Sequence, residues 1–210
     1  MTPIETISRL LLACTAAIGC LVAAGAAPKH ERVVVHASVA NHDWQTGDLV
    51  YRREPGLISA ASAAGNATGA QASHVGIVEV DEQGAWVWHA AAAEGEDPGG
   101  VRRERLASFF ARSALIQHQA IGRRLRPHDK EDLVRFLRDA DGLPFDEHFD
   151  QTTRSALYCT ELVLRALGAA GKDLPAVETV FNVPFRGLLH VVTVEEIQRV
   201  ASELASVTTH

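Results

Sequence analysis

An α+β domain built on an antiparallel sheet is the fold class this sequence predicts, on three observations. Short segments rich in β-branched residues fill its first half, helix-period segments dominate the second, and "DEQG" (81–84) supplies a turn between two of the strand-like segments. The chain has 210 residues, 47% hydrophobic and 22% charged, which suits one domain with a sizeable core. A formal net charge of -6 leaves no basic footprint, so nucleic acid is excluded as the expected partner.

The first thirty residues resemble an export leader. Arg9 precedes an apolar run from Leu10 to Val22, and small residues follow in "AAGAAP". The run is short for a membrane span, which needs about 20 apolar residues. The expected boundaries are a signal peptide over 1–27, a lead-in over 28–43 and the catalytic-type domain over 44–210. Cleavage near Ala26 or Ala27 would leave a periplasmic or extracellular protein with no stable membrane span. Cys20 offers the alternative of a lipoprotein anchored through that cysteine.

Within the domain, Gly47 and Asp48 form a turn ahead of a strand, Leu49 to Arg52. "SHVGIVEV" alternates and is β-branched, and "AWVWHAAA" returns beside it across the turn. A Gly-rich break leads to "VRRERLASFF", a short strand and a helical turn, then "ALIQHQAI", another strand. "RPHDKEDLVRFLRDADG" is a helix, with Asp129 as its candidate cap, Leu133, Phe136, Leu137 and Ala140 on one face, and Gly142 as its stop. "TELVLRALGAAG" repeats the pattern, turning Leu162, Val163, Ala166, Leu167 and Ala170 inward, with Ser155 or a neighbour as cap. Thr193 caps a last helix, with Glu196 three residues on.

Cys159 stands at the start of the second of these helices and is the only cysteine beyond residue 20. Helix-start N–H groups favour a thiolate and can lower a thiol pKa from about 8.5 to about 3.5–7.5. A free cysteine is also commonly a small buried hydrophobe, so position alone does not decide. A nucleophile needs a base, and hairpin arithmetic finds one. A symmetric two- or four-residue loop places Val80 opposite Ala85, Val78 opposite Val87 and Gly76 opposite His89. His74 then shares a face with His89, with Cβ atoms about 7 Å apart. Glu79 points to the other face. Asp146, Glu147, His148 and Asp150 cluster at irregular spacing, which suits a solvated loop better than a metal site.

"TGDLVYRR", "SHVGIVEV", "VWHAAA…GGVRRERLASFF", "GLPFDEHF" and "LYCTELV" stand in the order seen in the YiiX/YebB-like permuted papain-like cysteine hydrolases. That family is related to NlpC-type cell-wall peptidases and to lecithin:retinol acyltransferase. The resemblance covers about Trp44 to Glu196. It implies a circularly permuted papain-like fold, with a histidine-bearing antiparallel sheet packed against helices, one of them bearing the cysteine. It further implies Cys159 as nucleophile, His74 as base and His89 as the third group, where YiiX-type relatives usually carry glutamate. The oxyanion donors implied are the Cys159 backbone N–H and a second group, with Tyr158 and Tyr51 as candidates. Asp48, Ser73, Asp146 and Glu161 are candidate site-lining residues. The implied activity is amide cleavage through an acyl-enzyme on a small peptide, amide or acyl substrate, peptidoglycan-derived if export holds. No cofactor or metal is expected. Lipid acyl transfer or thioester cleavage by the same residues, and an inactive binding module, are the alternatives.

Overall fold

Strand β1, Leu49–Arg52, forms where the sequence places it, after a turn in which Gly47 adopts a φ of +100°. β2 covers His74–Asp81 and β3 covers Gly84–Ala91, joined by the two-residue loop Glu82-Gln83. The register is the one expected from a symmetric loop: Val80 pairs with Ala85 and Val78 with Val87. β4 spans Gly100–Arg105, α1 Leu106–Ala111 and β5 Ile116–Gln119. The five strands form one antiparallel sheet in the order β4-β3-β2-β1-β5. Helices α2 (Pro127–Asp139), α3 (Cys159–Ala169) and α4 (Val194–Ser206) follow. A hairpin of β6, Thr179–Val183, and β7, Gly187–Val191, precedes α4.

These elements come from a computed structural model that describes residues 42–54, 72–111, 116–183 and 187–206, all within one compact unit. The leader, most of the lead-in and the small-residue stretch before Ala72 lie outside the described residues. Among the described residues, no helix is long and apolar enough to cross a membrane.

Strand alternation divides the core in two. Leu49, Tyr51, Val75, Ile77, Trp88 and Ala90 turn to one side and pack with Leu133 and Leu137 of α2, Leu162, Val163 and Ala166 of α3, and Ile197 of α4. Val50, Val78 and Val87 turn to the other, against Leu106, Phe109 and Phe110 of α1. The α3 face is the one the sequence pattern identifies, since Leu162, Val163, Ala166 and Leu167 are all fully buried. Truncating Leu162 or Leu167 to alanine would cost about 2–5 kcal/mol.

Two helix starts differ from expectation. Arg126 caps α2, Pro127 takes its first position, and Asp129 sits three residues in, its carboxylate accepting the Arg126 backbone N–H at 3.0 Å. Proline's fixed φ and missing donor suit the first helical position, which moves the cap back past Asp129. Tyr158, not Ser155, caps α3, so Cys159 is the first residue of the helix. Thr193 does cap α4, accepting the Glu196 N–H at 3.1 Å.

Glu79 is buried on the helix side of β2, where Trp88 Nε1 (2.7 Å), Arg138 Nη2 (2.8 Å) and Arg103 Nε (3.0 Å) converge on its carboxylate. It holds β2, β3, β4 and α2 together. Removing it strands an indole N–H and a guanidinium, so Glu79→Ala is expected to destabilise the fold by about 1–3 kcal/mol in denaturant melts. The histidine pair on the opposite face should survive the change.

Candidate functional site

His74 opens β2 and His89 lies near the end of β3, on the side of the sheet that faces α1. Their imidazoles meet, His74 Nε2 to His89 Nδ1 at 2.9 Å, and both rings pack on Phe109. Gly76 makes the approach possible. A Cβ there would stand 2.4 Å from Val87 Cγ1, 3.0 Å from the Trp88 carbonyl oxygen and 3.4 Å from His89 Cβ.

The contact chain goes one step further than the sequence suggested. His89 Nε2 lies 2.9 Å from Glu104 Oε1 of β4. Because His89 pairs with Arg102 across the strands, Glu104 two residues along shares its face. Arg52 of β1 lies over the Phe109 ring with its guanidinium 4.1 Å from the centroid, donates to the Phe109 carbonyl at 2.9 Å, and reaches Glu54 and Glu104. Glu54 Oε1 is 3.8 Å from His74 Nε2.

This order of partners favours one set of tautomers. An ionised carboxylate only accepts, so the 2.9 Å approach of Glu104 favours the tautomer with the proton on His89 Nε2, although the contact is an ion pair and not a well-formed hydrogen bond. His89 Nδ1 is then an acceptor, and His74 must donate from Nε2. His74 Nδ1 is thereby left bare, and a bare imidazole nitrogen is what a general base requires. The charges agree with this assignment. Burial, then His89, Arg52 and Arg102, hold His74 well below its ordinary pKa. Burial also lowers His89, against the pull of Glu104. Burial works against the Glu104 charge, but His89, Arg52 and Arg102 outweigh it and hold its pKa below the usual carboxylate value.

Those shifts have a stability consequence. A histidine whose folded pKa is depressed favours the fold above its unfolded value of about 6.5 and loses that contribution as pH falls through it. His74 and His89 should therefore make the protein melt earlier as pH drops from about 7 to about 5. Calorimetry on wild type beside His89→Gln, which removes one of the two groups, measures the difference. A variant as acid-sensitive as wild type would contradict the assignment.

Cys159 reaches the same end of β2 from the opposite layer. α3 packs on the helix side of the sheet, and the Val75 N–H, one residue from His74, faces the Cys159 thiol. His74 is the first residue of its strand and turns to the α1 side, so thiol and imidazole lie on opposite faces of the sheet at the same strand end. The expected low thiol pKa is not found. Burial pushes the Cys159 thiol up to about 12, and the Glu54 carboxylate adds to the effect. The N–H groups of Val75, Thr160 and Cys159 pull the other way without compensating. Cys159 keeps some exposure, but desolvation of its sulfur outweighs the helix start.

The other expected residues are placed as follows. The Tyr51 hydroxyl is on the helix side of the sheet and donates to Gln119 Oε1. The Tyr158 hydroxyl accepts the Val192 N–H at 3.4 Å. The Tyr51 hydroxyl is engaged with Gln119, whereas the Tyr158 phenol lies within electrostatic reach of the Cys159 thiol as well as bonding Val192 N–H. Asp48 is wholly buried and accepts from Gln45 N (3.0 Å) and Gly122 N (2.8 Å), a tie between β1 and the turn before α2. Ser73 does border the site, its hydroxyl accepting the Glu54 N–H at 3.0 Å. Asp146 accepts from His148 N (2.9 Å) and Asp150 N (2.6 Å), closing its own loop. Glu161 is buried in the first turn of α3. Glu104, Arg52 and Glu54 were missed in the sequence. They belong to runs of charged residues that resemble solvated strand faces.

No protein-family model matches the chain, and no curated protein does. Among solved structures, the metalloprotein YiiX (DUF1105) from Escherichia coli O157:H7 matches with a TM-score of 0.61 and 16% identity, over 73% of this chain and 91% of that one. At that identity the likeness is one of fold: this chain has a mixed α+β, YiiX-like fold.

Proposed function

We propose that the chain is a cysteine hydrolase with a permuted papain-like arrangement, cleaving an amide through an acyl-enzyme on Cys159. What supports this reading is the Glu104–His89–His74 contact chain on one face of the sheet, together with a Cys159 thiol that faces the Val75 N–H, one residue from His74. At rest the thiol and the imidazole are both neutral. As sulfur attacks the carbonyl carbon, the S–H proton passes to His74 Nδ1 and the carbonyl π electrons move to oxygen. Collapse breaks the C–N bond, and the departing amine takes that proton. Water then attacks the thioester, losing a proton through His74 and returning it to sulfur, which releases the acid. The transient His74 imidazolium is buried among Arg52 and Arg102, so the Glu104 charge, relayed by His89, is what makes it tolerable. The Cys159 N–H, at the first position of α3 and facing its own sulfur, is the oxyanion donor in this reading.

YiiX is described as a metalloprotein. Here His74 Nε2 and His89 Nδ1 are spent on each other, and among the described residues no three His, Cys, Asp or Glu side chains are grouped to hold an ion. The donor set does not fit a metal, and no step passes through one.

Export would place this site among cell-wall peptides, the substrate class we propose. Incubating the full chain with muropeptides and N-acyl amino acids, followed by mass spectrometry of products, tests it. Cleavage that disappears in Cys159→Ala is expected; cleavage that persists in that variant would overturn the nucleophile. Histidine at position 89 also resembles the acyltransferase branch, so alcohol acceptors belong in the same assay, and ester formation would favour transfer over hydrolysis.

A further inference from the structure

The guanidinium of Arg52 stands between two carboxylates beside the histidine pair, and the proposed mechanism uses only one of them. Arg52 is 5% exposed and is the cross-strand partner of His74 in the β1–β2 pair, so the two side chains share the α1 face of the sheet. Its Nη1 donates to the Phe109 carbonyl at 2.9 Å and to Glu104 Oε1 at 3.4 Å. Its Nε donates to Glu54 Oε1 at 3.1 Å, and Nη2 donates to the same oxygen. The fork is seated on the Phe109 ring, with the guanidinium 4.1 Å from its centroid. Ring and carbonyl of one residue thus fix the arginine, while its two ends address different carboxylates.

Those carboxylates stand differently toward the base. Glu104 meets His89 Nε2, the far end of the relay. Glu54 stands beside the first residue of β2: its backbone N–H donates to Ser73 Oγ at 3.0 Å, and the Ser73 N–H donates to the Arg52 carbonyl at 3.0 Å. Its Oε1, the oxygen that Arg52 holds, is 3.8 Å from His74 Nε2. That same nitrogen makes the 2.9 Å contact with His89 Nδ1. Glu54 is therefore less than about 1 Å outside hydrogen-bond range of the relay's first donor. An ionised oxygen is also the stronger acceptor, since charge-assisted hydrogen bonds are about twice as strong as neutral ones.

We propose that Arg52 is a positioning residue for His74: by holding Glu54 it keeps that carboxylate off Nε2 and leaves His74 bonded to His89. With Arg52 in place, the charge behind the base is Glu104, reached through His89. Without it, Glu54 turns to Nε2, the His74–His89 bond breaks, and the base is uncoupled from Glu104. A role for Arg52 in packing alone gives Glu54 no part in that loss.

The inference rests on the relay assigned to the base in the hydrolase reading. Its readout requires no substrate, so it can fail while amide cleavage succeeds, and the reverse. The full-length protein, labelled with ¹⁵N at histidine, is held at about pH 8, where ordinary imidazoles are neutral. The ¹⁵N–¹⁵N coupling transmitted across an N–H···N hydrogen bond is then recorded between His74 Nε2 and His89 Nδ1. It is expected in wild type and in Glu54→Gln, lost in Arg52→Met, and regained in the double variant Arg52→Met/Glu54→Gln. Circular dichroism checks the fold of each variant. Arg52→Gln, which keeps a donor for the Phe109 carbonyl and removes the charge, takes the place of Arg52→Met, alone and in the double variant, if the latter does not fold. The regained coupling separates positioning from packing, because removing Glu54 does not refill the space of a lost arginine. Coupling absent from wild type, lost in Glu54→Gln alone, retained in Arg52→Met, or still missing from the double variant would overturn the proposal.

Discussion

Replacing Cys159 with alanine is expected to abolish turnover, leaving at most the residual rate that binding and oxyanion contacts provide. In a serine protease that loses its nucleophile, the drop is on the order of 10⁶ in kcat. The fold should tolerate the change, because Cys159 only borders the main core. Serine in its place should be nearly as inactive, since a hydroxyl is harder to ionise than even a thiol pushed up to about 12. That raised pKa carries its own expected result. A resting thiolate pair would alkylate rapidly at pH 7, whereas this thiol should react more than about tenfold slower than a free one and keep accelerating into the alkaline range. Iodoacetamide rates against pH measure it, and a half-point below about 8.5 would contradict the buried neutral thiol.

The second large effect is expected from the relay behind the base. His89→Ala should cut turnover by roughly 10- to 1000-fold, scaled down from the roughly 10⁴ lost when the orienting aspartate of a serine-protease triad is replaced. Glu104→Gln is the more selective variant, because it keeps the volume and removes the charge. Glutamine can donate as well as accept, so His89 is no longer forced to hold its proton on Nε2, and the bare nitrogen on His74 is no longer guaranteed. A loss within that 10- to 1000-fold range, confined to kcat, is expected. Long-range ¹H–¹⁵N spectra supply the accompanying readout: wild type should show His74 protonated at Nε2, and Glu104→Gln a mixture. His89→Glu should retain much of the activity, placing a carboxylate directly behind the base. An unaffected Glu104→Gln enzyme with unchanged tautomers would reduce Glu104 to a strand residue.

How much of this was legible depended on where local patterns fix geometry. The β2–β3 hairpin was legible because alternation sets the faces and a two-residue loop sets the register, so His74 and His89 could be brought together on paper. The same arithmetic applied to β3–β4 would have reached Glu104. It failed because "AAEGEDPGG" contains no turn of defined length, so the register of "VRRER" stayed open. The buried face of α3 was legible from its period. The thiol pKa was not, because helix position is local and desolvation comes from whatever packs around the sulfur. The β6–β7 hairpin was missed as well. Val180 and Leu188 are exposed, and Pro184 interrupts the run, so alternation never marks a core face. The two tyrosines were named from their place beside site motifs, and a long-range hydrogen bond to Gln119 engages the Tyr51 hydroxyl.

If the His74 chain deprotonates Cys159 for attack on an acyl group, the acyl-enzyme can be trapped. The full chain is mixed with an activated acetyl ester, quenched in acid over a time course, and mapped by mass spectrometry. One acetyl group on the Cys159 peptide, rising and then decaying, is expected in wild type. Little or none is expected in His74→Ala, with unchanged folding by circular dichroism. Acetylation of Cys159 that proceeds equally well without His74, or that lands on other residues and leaves Cys159 bare, would contradict it.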